Sequence, residues 1–187
     1  MGYADNGTLV ERLKAGDREA LREAYEKYSR NVLALAAAMV GRRDRAWDIL
    51  HDVFVSFART ARNLGPDSNV RAYLLTAAAN RARAVLAERK VASLEAGSDD
   101  AAGELPSPSA IDPAAAAQAG EESLLLWNAV ASLPIEQRTI VALHVYGGLT
   151  FREISARDGV SQNTAQSRYR YALENIRRKL REVEHGR

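Results

Sequence analysis

The sequence predicts an all-α protein of two small helical domains joined by a flexible acidic linker. Apolar residues recur at three-to-four spacing through both ends of the chain, the period of helices with one buried face. Alanine, leucine, arginine and glutamate are abundant, whereas the 187 residues include only 12 glycines and 5 prolines. Between the periodic blocks, Gly97, Ser98, Pro106, Ser107, Pro108, Ser109, Pro113 and an alanine run interrupt any helix and offer little to bury. The resulting division is a domain over 9–90, a linker over 91–120 and a domain over 121–184.

In the first domain, Asp17 is placed to cap a helix whose apolar stripe is Leu21, Tyr25, Tyr28, Val32, Leu35 and Met39. Gly41 suits the end of that helix, where a left-handed residue commonly closes the last turn. A second helix carries Ala46, Ile49, Leu50, Val53, Phe54 and Phe57. The loop Asn63 to Asn69 separates it from a third helix, from about Val70 to Lys90. On that helix Ala72, Thr76, Ala79, Asn80 and Arg83 share the face away from Tyr73, Leu74, Ala77 and Ala78, with Arg71 at the edge. Helices this short are marginal alone, so the three must pack together.

The second domain opens with a helix near Glu122 to Ser132 that stops at Leu133 and Pro134. A further helix covers Glu136 to Tyr146 and ends at Gly147 and Gly148. A short helix from Thr150 to Arg157, a turn at Asp158-Gly159-Val160 and a long helix from Ser161 complete it. Phe151 and Ile154 face inwards, Gly159 allows the turn, Val160 plugs the corner and Ser161 caps the long helix. Ala165, Tyr169, Ala172, Leu173, Ile176 and Leu180 form its buried row, opposite Gln162, Asn163, Gln166, Ser167 and Arg170. That is the layout of a helix-turn-helix, with side chains suited to phosphates and base edges at the end that enters a major groove. An ordinary helical hairpin with a capped second helix has the same outline.

Net charge is +2 overall but unevenly spread: +5 over 1–90, −7 over 91–122 and +4 over 123–187. Basic blocks are the footprint of a polyanion partner, although many basic surfaces bind nothing. The Arg177, Arg178, Lys179 and Arg181 cluster equally complements a helix dipole. Asp44, Asp48, His51 and Asp52 fall at i, i+4, i+7 and i+8, an acidic ridge opposite an apolar stripe. Such a ridge suits the basic surface of a protein partner, and as a solvated helix face it needs none.

No cysteine is present, which excludes disulfides, thiolate metal sites and cysteine nucleophiles. No apolar run approaches the roughly 20 residues of a membrane span, and the N-terminus lacks a secretory apolar segment. His51, His144 and His185 are scattered without the neighbours of a metal site or triad, and no phosphate-cradling glycine loop follows a strand. The expectations are a cytoplasmic protein that is not an enzyme, with no catalytic residues, metal, cofactor, small-molecule substrate or membrane insertion.

Over nearly its full length the chain resembles the extracytoplasmic-function (group 4) sigma factors of bacterial RNA polymerase. In the second domain the matching residues are Leu133-Pro134, Gln137-Arg138, Gly148 to Ile154, Val160-Ser161 to Thr164 and Ser167-Arg168. This looks like sigma region four, and the resemblance implies −35 DNA contacts from Ser161, Gln162, Asn163, Thr164, Gln166, Ser167, Arg168 and Arg170. In the first domain the match runs from Asp44 to Phe54, then Val70 to Leu74 with Asn80, and looks like sigma region two. It implies that Asp44, Asp48, His51 and Asp52 meet core RNA polymerase, and that Arg71, Thr76, Asn80 and Arg83 meet −10 DNA. The loop Asn63 to Asn69 stands where the family captures a base flipped from the non-template strand, a step costing a few kcal/mol.

The chain departs from the family pattern at Trp47, usually acidic, at Arg81, usually aliphatic, at Ala84 to Glu88, usually an Asp-x-x-Arg-Arg run, and at Gln166, commonly Lys. Promoter sequence and the strength of melting hang on these positions. The acidic linker would complement the polymerase's basic RNA-exit path, or serve as a soluble tether. With little sequence outside the two domains, control is expected from a separate anti-sigma protein. A stand-alone helix-turn-helix regulator of duplex DNA is the alternative reading; a purely structural adaptor would leave the polar recognition face without a role.

Overall fold

The computed structural model describes residues 3–96 and 121–185, and every regular element among them is helical. The helices are α1 (Tyr3–Lys14), α2 (Arg18–Val40), α3 (Arg43–Thr60) and, after a 3-10 turn at Ala61–Asn63, α4 (Val70–Ala96). Then come α5 (Glu121–Ala131), α6 (Ile135–Val141) running into a π turn (Ala142–Tyr146), α7 (Phe151–Asp158) and α8 (Gln162–His185). The linker segment 97–120 lies outside the described residues; α4 occupies the first part of the predicted linker, through Ala96.

Helix α1 is an element the apolar pattern does not announce, because its buried side chains Leu9, Val10 and Leu13 span little more than a turn. The corner after it is held electrostatically. Arg12 pairs with Asp17 at 2.9 Å and Glu23 at 2.7 Å, and Asp17 caps α2 by accepting from the Glu19 amide at 2.8 Å. Helix α2 ends as expected on Gly41, with φ at 73°.

Helix α2 is the central rod. Val32, Leu35 and Met39 are fully buried along it, and Ala24, Ala36 and Ala37 let α3 and α4 approach closely. All six apolar residues predicted for α3 are buried. Three positions differ from the expected faces. Tyr25 is exposed, its ring packing edge-on against Phe54 at 4.8 Å. On α4, Ala79 lies inside with Leu74, Leu75, Ala78 and Ala82, while Tyr73 is outside with its hydroxyl 2.9 Å from that of Thr60. The reason is that α4 is covered by α2 and α3 and also by the π turn, so its buried arc is wider than one stripe.

The C-terminal helices build a small cluster of their own from Val130, Leu133, Val141, Ala172 and Ile176. Trp127, Ile140, Leu143, Leu149, Ile154 and Ala165 instead join the buried cluster of α2 to α4. The two halves therefore share a core across α2. Burying a residue such as Leu143 contributes on the order of 2 kcal/mol to holding them together.

Candidate nucleic-acid interface

The helix-turn-helix follows from local chemistry. Thr150 caps α7 and Glu153 reaches back to the Thr150 amide at 2.8 Å, a complete capping box. Gly159 ends α7 at φ 64°, a conformation that a side chain would strain. Ser161 then accepts from the Thr164 amide at 3.0 Å, and their hydroxyls lie 2.8 Å apart. His144, stacked on Phe151 at 4.3 Å and edge-on to Tyr169 at 5.0 Å, wedges the first helix against the second.

Along the start of α8, Gln162, Asn163, Gln166 and Arg170 are exposed on one face. Arg170 lies 4.0 Å from Glu174 and over the Tyr171 ring. Ser161 and Thr164 are occupied with capping. Ser167 and Arg168 are half-buried, and Arg168 turns towards Glu136 at 3.5 Å. Ser161 and Thr164 are exposed as well, so of the eight expected residues only Ser167 and Arg168 are half-buried.

Thr76, Asn80 and Arg83 lie along one side of α4, with Arg71 on its first turn outside that row, and Arg71, Asn80 and Arg83 all make contacts with the C-terminal half. Arg71 donates to the carbonyl of Gly147. Gly148, at φ 62°, lies against the Arg71 guanidinium, which a Cβ there would have to displace. Asn80 accepts from Arg157 at 2.6 Å, and Arg83 reaches Thr139 and Glu136, each at 3.2 Å. Thr76 lines a cleft of about 420 Å³ together with Asn80, Arg83, Glu136, Arg157 and Arg168. In the preceding loop, Asn69 caps α4 through the Ala72 amide at 3.0 Å and donates to Glu153 at 3.2 Å.

The ridge of Asp44, Asp48, His51 and Asp52 is exposed along α3, with Trp47 exposed among them. It is less negative than its carboxylates alone suggest. Asp44 pairs with Arg42 at 3.0 Å, which holds its carboxyl below the usual range. Asp48 lies 3.7 Å from Arg45, and Asp52 takes Arg81 at 2.9 Å. Arg81, the departure from an aliphatic position, spans from α3 to Glu88 and closes one wall of a groove between α3 and α4.

Two half-buried arginines carry roles that sequence reasoning missed. Arg138 donates to the carbonyls of Met39 at 2.9 Å and Leu133 at 3.1 Å, and also to that of Ala131, tying the ends of α2 and α5. Arg157, its side chain 8% exposed, pairs with Asp158 as well as Asn80. Burial pulls both guanidinium groups below their ordinary pKa, and Asp158 partly opposes this at Arg157. Arg138 had a signal in its Gln137-Arg138 motif; Arg157 reads locally as a basic last turn and nothing more.

Residues 24–90 match the model of Sigma-70 region 2, and residues 123–176 that of Sigma-70, region 4. The chain is 29% identical over 178 residues to the RNA polymerase sigma factor CarQ of Myxococcus xanthus, covering 94% of this chain and 97% of that one. It is also 29% identical over 179 residues to the ECF RNA polymerase sigma factor SigK of Mycobacterium ulcerans, covering 92% of each. Two solved structures share the fold. CnrH in complex with the cytosolic domain of CnrY has a TM-score of 0.70 at 18% identity, covering 94% of this chain and 97% of that one. The sigma factor RpoE in complex with the anti-sigma factor NepR, from Bartonella quintana, has a TM-score of 0.68 at 19% identity, covering 86% and 96%. Two Sigma-70 regions in order, and relatives matched along almost their whole length, lead to one conclusion: the chain belongs to the sigma-70 family, as an extracytoplasmic-function sigma factor.

Proposed function

We propose that this protein is a group 4 sigma factor that binds core RNA polymerase and directs transcription initiation from promoters carrying its own −35 and −10 elements. Residues 9–90, continued by α4 to Ala96, are its region-2 domain and 121–184 its region-4 domain, with the rest of the 91–120 segment as the tether between them. The observation that carries the reading is the pairing of a capped helix-turn-helix, its polar face outward, with a region-2 bundle whose α3 ridge is exposed. Gln162, Asn163, Gln166 and Arg170 face the −35 element, with Ser161, Thr164, Ser167 and Arg168 shaping and orienting that end of α8. Arg71, Thr76, Asn80 and Arg83 meet the −10 element, and Asp44, Asp48, His51 and Asp52 meet a basic surface of the polymerase.

The protein works in the cytoplasm, performs no catalysis itself and takes no cofactor or small-molecule substrate. Among the described residues no helix is long and apolar enough to cross a membrane. The solved structures of similar fold are complexes with the cytosolic domain of CnrY and with an anti-sigma factor, which supports a separate anti-sigma protein as the regulator here. The test is run-off transcription by core polymerase on pooled genomic promoter fragments, with and without the protein. New transcripts that require it establish the function and reveal both elements. Specific retention of duplex fragments by the protein alone, without transcripts, would replace this reading with a stand-alone regulator.

A further inference from the structure

We infer that Arg81 sets how tightly this protein holds core polymerase: it occupies Asp52 of the α3 ridge, so the polymerase must displace one of the protein's own arginines to reach that carboxylate. The inference rests on the assignment of the ridge to polymerase proposed above.

Each of the three ridge carboxylates has an arginine beside it, but the partners differ in kind. Arg42 and Arg45 pair with Asp44 and Asp48 from the same end of α3, two and three residues away. The Arg45 contact, at 3.7 Å between two exposed side chains, is beyond hydrogen-bond length. An approaching cation turns such a side chain aside at little cost. Arg81 comes instead from another helix, 29 residues from Asp52, and is held at both ends. Its Nε donates to Asp52 at 2.9 Å, while Nη1 donates to Glu88 at 3.4 Å, two turns further along α4. The three groups line the groove between α3 and α4 together with Ile49, Val85 and Leu86.

A guanidinium fixed by two carboxylates has already lost much of its side-chain freedom, so it gains little by staying in place and resists exchange. A polymerase cation that reaches Asp52 meets this resident positive charge within a few ångströms, where like charges repel. The pair is partly exposed, so water and salt screen it, and the effect adjusts affinity without blocking docking. An aliphatic side chain here, from which Arg81 is a departure, would sit beside Val85 and Leu86 and leave Asp52 unpaired. Arg81 is therefore a positioning residue: it acts on polymerase binding through Asp52.

The test is competition of the full-length protein against a fluorescently labelled reference sigma factor for core polymerase, at about 0.1 M salt and again at about 0.5 M. Arg81→Leu is expected to bind about three- to fivefold more tightly at the lower salt, with a smaller gain at the higher. Arg81→Lys keeps a cation beside Asp52 and should remain within about twofold of wild type. In an Asp52→Asn background, Arg81→Leu should give no gain, because no carboxylate is left to release. Lys90→Leu makes the same charge change on an exposed turn of α4 and should also remain within about twofold. Unfolding midpoints are measured alongside, and Arg81→Gln takes the place of Arg81→Leu if the leucine impairs folding.

Unchanged or weaker binding by Arg81→Leu, a gain that survives Asp52→Asn, or an equal gain from Lys90→Leu would overturn the inference. Asp48→Lys separates that result from failure of the reading beneath it. If Asp48→Lys competes as well as wild type, the ridge is not the polymerase contact, and the role of Arg81 falls with it. Weakened Asp48→Lys beside an unchanged Arg81→Leu removes the role of Arg81 alone.

Discussion

The Arg157 guanidinium, at the last turn of α7, donates to the Asn80 side chain on α4 at 2.6 Å. It also pairs with Asp158, while its own Nε is buried without a partner. One arginine thus joins the helix-turn-helix to the N-terminal bundle in a partly desolvated setting. Such a group stabilises the fold only while its partners stay in place. Arg157→Ala is expected to destabilise the protein by about 1–3 kcal/mol, read from its urea or thermal unfolding. No loss of stability would show that the halves do not depend on this link.

The shared core makes a separate prediction. Leu143 comes from the C-terminal half yet is fully buried with residues of α2 to α4. Leu143→Ala should cost about 2–5 kcal/mol and should lower the unfolding of both halves together. Circular dichroism and the fluorescence of buried Trp127 would then report the same shifted transition. Two separated transitions, with only one displaced, would argue against a shared core.

On the recognition helix, Gln166 and Arg170 are both exposed but differ in what they can read. Gln166 can make a bidentate contact to a base edge; Arg170 beside Glu174 is suited to a phosphate. With the holoenzyme and single-base variants of the −35 element, Gln166→Ala should relax one position by about 1–3 kcal/mol. Arg170→Ala should instead weaken all variants alike and reduce the salt slope by about one. The reverse pattern would exchange the two roles.

The α3 ridge can be tested without endangering the fold, since Trp47 and Asp48 are exposed. Trp47→Ala and Asp48→Lys should each leave stability within about 0.5 kcal/mol of wild type. Each should weaken competition for core polymerase by about tenfold, because an exposed tryptophan beside charged groups is a typical anchor. Unchanged competition would remove α3 from the polymerase contact.

Acid stability has a local source at the α1–α2 corner. The Arg12 side chain, and then the Glu19 amide, hold the Asp17 carboxyl below its ordinary pKa. A carboxyl lowered in the folded state stabilises it above the ordinary carboxylate range, and that contribution disappears as pH falls through the lowered value. Asp17→Asn keeps a capping oxygen but has no charge to lose. Its melting midpoint should therefore fall less than that of wild type between neutral pH and about pH 3. Parallel curves would place the acid sensitivity elsewhere.

Much of this was legible in the sequence because it depends on neighbours in the chain. The Asp17 cap, Gly41, the α3 stripe, Gly159 and the Ser161 cap are decided within a turn or two, by helical period and by which side chains can satisfy free amides. The resemblance to two sigma regions rests on the same local motifs. Helix α1 escaped because one buried turn is too short a pattern to stand out.

What the tertiary structure alone decided is which groups meet across the two halves. Nothing adjacent to Arg157 points to Asn80, and nothing near Gly147 points to Arg71, since these partners are separated by 77 and 76 residues. The width of the buried arc on α4, which took in Ala79 and released Tyr73, was likewise set by a third packing neighbour. Periodicity assigns one inward face to each helix, whereas burial of apolar surface between helices determines how many faces are covered and where charged side chains end.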